Sequence, residues 1–124
     1  MEPVRSFKEL IVWQKAMDLT VACYEMTRQF PRQETFALSN QMQRSAVSIP
    51  ANIAEGQARQ HTGEFKHFLS IAAGSLAETE THIIIAIRLG YVAEQNSETI
   101  LALCAEVGKL LTGLQKALRA KTDH

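Results

Sequence analysis

Apolar residues recur at helical spacing in four separate stretches of this chain, and this feature restricts the fold more than any other. In the first stretch the steps alternate between four and three residues, through Val12, Ala16, Leu19, Cys23, Met26 and Phe30. Such a heptad-like period predicts a helix that buries one side. Proline and glycine interrupt the pattern at Pro31, Gly63 and Gly90, where helices are expected to begin or end.

These interruptions predict helices at about residues 6–29, 33–59, 63–89 and 97–120, in a single domain that spans 1–124. Connections this short favour antiparallel neighbours. A chain of 124 residues with 46% hydrophobic residues can bury a core without disulfides or metals. The predicted fold is therefore all-α, an up-and-down antiparallel four-helix bundle.

Pro50 lies inside the second predicted helix. A proline in a helix interior removes one hydrogen bond and clashes with the carbonyl group four residues before it. We expect a kink near Pro50, between Ala46 and Pro50, with the backbone eased by the hydroxyl of Ser45 or Ser48. Two separate helices are the alternative.

The first helix carries a second apolar stripe, about 140° around the helix from the first. A helix with two apolar faces is usually buried on two sides, whereas a four-helix monomer covers only one of them. The pattern therefore predicts a homo-oligomer, in which one stripe faces the protomer core and the other a neighbouring subunit. The candidates for the oligomer contact are Leu10, Trp13, Met17, Val21 and Tyr24.

A polar seam follows one face of the second helix at steps of three and four residues, and it consists of Gln41, Arg44, Ser48, Asn52, Glu55 and Arg59. A solvated face is the common reading of such a pattern. This seam contains short polar residues and arginines but no lysine, which favours a buried interface or a lined pocket. Glu55 is expected to neutralise Arg44 or Arg59, so that Glu55→Ala costs more than Ser48→Ala.

Nothing in the sequence indicates an enzyme, and no catalytic residue, cofactor or metal site is predicted. Cys23 and Cys104 lie on apolar stripes, where thiols are inert and stay reduced in a cytoplasmic protein. A Gly-x-Ser-x-Gly elbow and glycine-rich phosphate loops are absent. Glu64 and His67 form a single Glu-x-x-His motif, whereas a di-iron carboxylate bundle needs two. The polar seam, or Glu78 with His82, leaves a small-ligand or metal-binding bundle as the alternative function.

Charge and hydropathy exclude two further classes of protein. Lys plus Arg and Asp plus Glu both number 13, so the chain lacks the basic excess of a non-specific polyanion binder. The N-terminus lacks the apolar run of a signal peptide, and the most apolar stretch is too short to span a bilayer. We therefore expect a cytoplasmic protein with no membrane partner.

Several segments resemble a known family, the four helix bundle proteins often encoded in bacterial ribosomal-RNA intervening sequences. The resemblance lies in residues 6–16 (SFKELIVWQKA), 41–56 (QMQRSAVSIPANIAEG), 64–65 (EF) with 68–78 (FLSIAAGSLAE), and 89–91 (LGY). In the central segment, Arg44, Asn52, Glu55 and Gly56 match the family signature one by one. The family assigns no catalytic role to these four residues.

The resemblance implies an up-and-down bundle that associates into a homopentameric ring. The location of the family's genes implies an RNA-linked role, and the expected function is a non-catalytic scaffold or adaptor with RNA or a nucleoprotein as its partner. A related branch, the accessory proteins of diversity-generating retroelements, forms basic pentameric barrels that bind nucleic acid. The zero net charge of this chain departs from that branch.

Overall fold

A computed structural model describes residues 6–122 of the chain. Within this range the chain forms four α-helices and no strand: α1 (Ile11–Thr27), α2 (Leu38–Ala58), α3 (Thr62–Arg88) and α4 (Glu98–Thr122). Short 3₁₀ turns at Phe7–Glu9, Arg32–Glu34 and Glu94–Ser97 precede α1, α2 and α4. None of these helices is long and apolar enough to cross a membrane.

The helices contact each other in chain order, and α4 also contacts α1, whereas α1 and α3 have no Cα atoms within 8 Å of each other in the described residues. This is the neighbour pattern of a bundle in which α1 and α3 lie diagonally across the core. The largest fully buried side chains come from all four helices and include Leu19, Met42, Ile49, Ile53, Leu69, Ile83, Val107 and Leu111. The structure confirms the predicted all-α, up-and-down antiparallel bundle.

The first two helices begin later than their apolar patterns indicate. Leu10 has extended backbone angles (φ −74°, ψ 125°), so α1 starts at Ile11 and the preceding residues form a separate turn. In the same way α2 starts at Leu38, whose backbone N–H donates to the Glu34 carboxylate at 3.3 Å. Both apolar patterns continue into 3₁₀ turns, which hydropathy alone does not distinguish from α-helix.

The α2 helix continues through Pro50, so the two-helix alternative is not adopted. Because Pro50 has no N–H, the carbonyl of Ala46 lacks its intrahelical donor. The hydroxyl of Thr20 in α1 lies 3.0 Å from the Ala46 oxygen and 2.9 Å from the Ala16 oxygen of its own helix, so its one proton is shared between these two acceptors. Ser45, one of the two serines expected to ease the backbone near Pro50, donates from Oγ to the Met42 oxygen at 3.1 Å.

The α2 and α3 helices approach each other closely where Gly56 faces two phenylalanines. A Cβ atom added at Gly56 would lie 2.8 Å from Cβ of Phe68 and 3.0 Å from Cδ1 of Phe65. The distance to Phe68 is shorter than Cβ atoms adopt in proteins, and the distance to Phe65 is tight, so any residue other than glycine would force the two helices to shift. This close approach explains why a glycine occupies position 56, the last residue of the 41–56 segment that resembles the family.

Candidate functional site

The polar seam of α2 does not act as one unit, because its six residues fall into three groups with different surroundings. Ser48 and Asn52 are half-buried and bonded toward α3. Glu55 and Arg59 form an exposed ion pair. Gln41 and Arg44 are exposed and line a cleft.

Ser48 and Asn52 belong to a hydroxyl network that crosses from α2 to α3. Asn52 Nδ2 donates to Ser48 Oγ at 2.9 Å, and Ser75 Oγ of α3 lies 2.8 Å from the same oxygen. Thr79 Oγ1 lies 2.8 Å from the Ser75 carbonyl oxygen and 2.9 Å from Ser45 Oγ. These two contacts between α3 and α2, together with a third from His82, fix the alignment of the two helices.

His82 ends this network, with Nδ1 located 3.2 Å from Ser45 Oγ. Burial lowers the pKa of His82, and the nearby charge of Glu78 offsets only part of that effect. The ring is therefore largely neutral at pH 7, so one of its nitrogens is a donor and the other is an acceptor. We call Ser45, Ser48, Asn52, Ser75, Thr79 and His82 the hydroxyl network.

Sequence reasoning missed the α3 half of this network. Ser75 and Thr79 are spaced four residues apart, and both are buried on the helix face that carries Ala72, Ile83 and Ala86. Hydroxyl residues among apolar ones at helical spacing indicate that a polar partner lies opposite them. The matching signal on α2 is Ser45, which lies at helical spacing between the apolar residues Met42 and Ile49.

Glu55 and Arg59 lie at the C-terminal end of α2 and are joined there by the start of α3. Arg59 Nη2 donates to Glu55 Oε1 at 2.9 Å, and Arg59 Nη1 lies 3.5 Å from Glu64 Oε1. The guanidinium also stacks over the Phe68 ring, 5.2 Å from its centroid. The side chains of Arg59 and Glu55 are 46% and 52% exposed, so solvent screens this pair.

A cleft of about 570 Å³ opens beside the hydroxyl network, between α2 and the C-terminal half of α3. Arg44 also borders a second hollow of about 400 Å³ on the α1 side of α2. The lining of the larger cleft consists of Phe36, Asn40, Gln41, Arg44, Ser45, Ser48, Ser75, Glu78 and His82. The sequence-derived candidates Gln41, Arg44 and Ser48 thus meet Glu78 and His82 in one cleft.

The arrangement of acidic and histidine side chains does not favour a metal. Glu78 and His82 share the cleft, but no group of three or more His, Cys, Asp or Glu side chains in residues 6–122 could hold a metal ion. Glu64 and His67, the other Glu–His pair, contact different residues. Glu64 contacts Arg59, whereas the His67 ring packs edge-on against Phe68, with 5.5 Å between the ring centroids.

The two cysteines are poor candidates for catalysis. Both are buried and free, Cys23 in α1 and Cys104 in α4. Burial raises the pKa of each thiol to about 12, and the Cys104 thiol adds to the effect on Cys23. At neutral pH both thiols are protonated, and a protonated thiol is a weak nucleophile.

The two apolar stripes of α1 have different environments. The stripe of Val12, Ala16, Leu19, Cys23 and Met26 is buried in the protomer core. In the other stripe, Leu10 and Trp13 are half-buried against the core, whereas Met17, Val21 and Tyr24 are exposed. Exposed Val47 of α2 borders the same hollow as Tyr24. We call Met17, Val21, Tyr24 and Val47 the α1–α2 patch.

Comparisons with known proteins identify relatives for most of the chain. The family model described as "23S rRNA-intervening sequence protein" matches residues 8–113. A crystal structure of a protein of unknown function from the S23 ribosomal protein family of Bacteroides thetaiotaomicron is similar, with 31% identity and a TM-score of 0.78. That match covers 86% of this chain and 96% of the other. A comparison with curated proteins finds no match.

Proposed function

Because the chain belongs to the 23S rRNA-intervening sequence protein family, we propose that it is a non-catalytic, homo-oligomeric scaffold or adaptor in the cytoplasm. The proposed assembly is a pentameric ring, and the proposed partner is RNA or a nucleoprotein. Nothing in the family description or in the similar structure indicates catalysis.

The observation that carries the proposal is a pair of separate exposed apolar patches. The α1–α2 patch contains Val21, which is 55% exposed. A second patch lies on α3, where Ile85 and Leu89 follow each other by one helical turn and are both exposed. The first patch lies on α1 and α2 and the second on α3, and α1 and α3 have no Cα atoms within 8 Å of each other in residues 6–122.

Two different patches on one chain support a head-to-tail interface. In a two-fold dimer the same patch meets itself, so one exposed patch is enough. In a ring each subunit presents one patch to the subunit before it and another to the subunit after it. Burying both patches in this way also removes apolar surface that a monomer leaves in water.

The test uses two variants, each with one patch made acidic. Met17→Glu with Val21→Glu changes the α1–α2 patch, and Ile85→Glu with Leu89→Glu changes the α3 patch. Each variant alone is expected to be a monomer by light scattering. A mixture of the two retains one intact interface, so it should form a 1:1 dimer and nothing larger.

Ile84→Glu is the matched control, because Ile84 is 41% exposed, close to the 39% of Ile85, but points to another side of α3. This variant should assemble as the wild type does. A wild-type protein that is monomeric at tens of micromolar would refute the scaffold proposal. Variants that stay monomeric when mixed would refute the head-to-tail interface.

A further inference from the structure

The cleft between α2 and α3 contains polar groups that the fold does not use. Arg44, Asn40 and Gln41 form no side-chain hydrogen bond or ion pair within residues 6–122. Arg59 on the same face of α2 is held by two carboxylates. Of the two arginines in the polar seam, Arg44 beside the cleft is therefore the one with no ion-pair partner within residues 6–122.

Hydrogen-bond donors outnumber acceptors in this cleft. Ser48 and Ser75 share one hydrogen bond, and Asn52 donates to Ser48 as well, so one hydroxyl proton of the pair has no acceptor within the described chain. Arg44 adds a guanidinium, which carries five donors and no acceptor. A ligand with anionic oxygens complements such a set, and a guanidinium recognises phosphate especially well.

His82 presents Nε2 on the α3 wall. Its Nδ1 lies 3.2 Å from Ser45 Oγ, and its Nε2 makes no hydrogen bond within residues 6–122. Because Ser45 donates its one proton to the Met42 oxygen, Nδ1 of the neutral ring donates to Ser45 and Nε2 is left as an acceptor. Glu78 is the one carboxylate among the cleft residues of the described chain, so Nε2 and Glu78 together suit a ligand group that donates.

Phe36 supplies a flat apolar surface at the edge of the cleft. It precedes α2 and is 92% exposed, more than any other large hydrophobic residue in residues 6–122. A ring this exposed is available for stacking against a planar ligand, and stacking on nucleobases tolerates any base.

From these groups we propose that the α2–α3 cleft binds a nucleoside phosphate, with the phosphate on Arg44 and the base against Phe36. Glu78 accepts a hydrogen bond from a ribose hydroxyl or a base amino group. This inference deepens the RNA-linked part of the proposed function by giving it a site, and it does not depend on assembly. A free nucleotide and the phosphorylated end of an RNA strand share this chemistry.

In the experiment, AMP, adenosine and inorganic phosphate are each titrated into the wild-type protein. Binding is measured by calorimetry and by NMR chemical-shift changes. AMP should bind, and adenosine or phosphate alone should bind on the order of tenfold more weakly, because each makes only part of the contacts. Arg44→Ala should weaken AMP binding by at least about tenfold, since it removes a charged hydrogen-bond donor. Phe36→Ala should weaken AMP and adenosine but leave phosphate unchanged.

Arg59→Ala is the matched control, because it removes an arginine from the same face of α2 outside the cleft. Its AMP affinity should equal that of the wild type. Equal losses for Arg44→Ala and Arg59→Ala, or no AMP binding at millimolar concentration, would overturn the proposed site. Both residues are exposed, so loss of folding is not expected, and thermal melts check it.

A short RNA with and without a 5′-phosphate distinguishes the two sources of the ligand. Tighter binding of the phosphorylated strand than of AMP indicates an RNA end, and equal binding indicates a free nucleotide. Light scattering in the same samples keeps this test separate from the scaffold proposal, because a nucleotide site can fail while the ring remains.

Discussion

The α2–α3 contact and the α1–α4 contact hold the same bundle together by different means. Across α2–α3, hydroxyl groups meet in a network and Gly56 brings the backbones close. On the α1–α4 side the buried residues are apolar and include the thiols of Cys23 and Cys104, with Lys15 and Glu106 forming an ion pair at the surface. Apolar burial tolerates small shifts, whereas hydrogen bonds fix one alignment. The side with the fixed alignment is also the side with the polar cleft.

High pH should weaken the α1–α4 side selectively. Of the changes considered, it should lower the free energy of unfolding the most. Burial raises the pKa of both thiols from 9.0 to about 12, so the folded state keeps protons that the unfolded state loses above pH 9. The stabilisation is complete below pH 9 and falls by about 1.4 kcal/mol per pH unit for each thiol as pH rises toward 12. Urea unfolding at about pH 10.5 should therefore show a loss of about 4 kcal/mol relative to pH 8 from the two thiols together.

Cys23→Ala with Cys104→Ala is the control for this measurement, because lysines and tyrosines titrate in both proteins. The double variant should lack the part of the decline that belongs to the thiols. An equally steep decline in both proteins would mean that the thiols are already accessible in the folded state.

Gly56→Ala tests the close approach on the α2–α3 side. The added methyl group meets Phe68 and Phe65, and overpacking of this kind costs about 1–3 kcal/mol. Gly113→Ala is the matched control, since nothing lies within 4 Å of its added Cβ. That variant should gain up to about 1 kcal/mol through helix propensity. Chemical denaturation of both variants measures the difference, and effects of the same sign would contradict the close approach.

Thr20→Val tests whether α1 compensates for the proline in α2. The variant keeps the side-chain shape but leaves the buried Ala46 oxygen without a donor, at a cost of about 1–2 kcal/mol. Pro50→Ala restores an N–H to that oxygen, so Thr20→Val should cost about 1 kcal/mol less in the Pro50→Ala background. Additive effects in this double-mutant cycle would show that the Thr20 contact does not replace the missing helix bond.

The sequence predicts the architecture well because apolar periodicity depends on burial, and burial dominates a four-helix bundle. It also places Cys23 on an apolar stripe of α1, but it does not decide which of the two stripes faces the protomer core. It does not predict that Thr20 pairs with Ala46, or that Ser75 and Thr79 face Ser48 and Ser45. Those contacts depend on how far two helices are shifted along each other, and a single helix pattern carries no information on that shift.

Because a helix pattern does not reveal what lies opposite each turn, the sequence also does not predict that the polar seam falls into three groups. Its six residues share one face of α2, but the neighbouring element changes along the helix. Its N-terminal residues lie beside an open cleft, Ser48 in the middle meets Ser75, and Arg59 at the end meets Glu64. Residue spacing gives the face of a helix, and the fold determines what lies opposite each turn.

Ser48→Ala and Glu55→Ala give the smallest effects and compare the middle of the seam with its end. The sequence alone favours a larger cost for Glu55→Ala, through a stranded arginine. The structure reverses that order, because Arg59 is exposed, retains Glu64 nearby and returns to water when Glu55 is removed. We expect less than about 0.5 kcal/mol for Glu55→Ala.

Ser48→Ala removes the acceptor of both Ser75 and Asn52 and leaves the buried Ser75 hydroxyl unsatisfied, at a cost of about 1 kcal/mol. Ser70→Ala is the control, because Ser70 is an exposed serine of α3 and its replacement should be neutral or slightly stabilising through helix propensity. Thermal and urea melts of the three variants rank them. If Ser48→Ala melts like Ser70→Ala, the hydroxyl network contributes nothing to the α2–α3 contact, and the bundle is held by apolar burial on both sides.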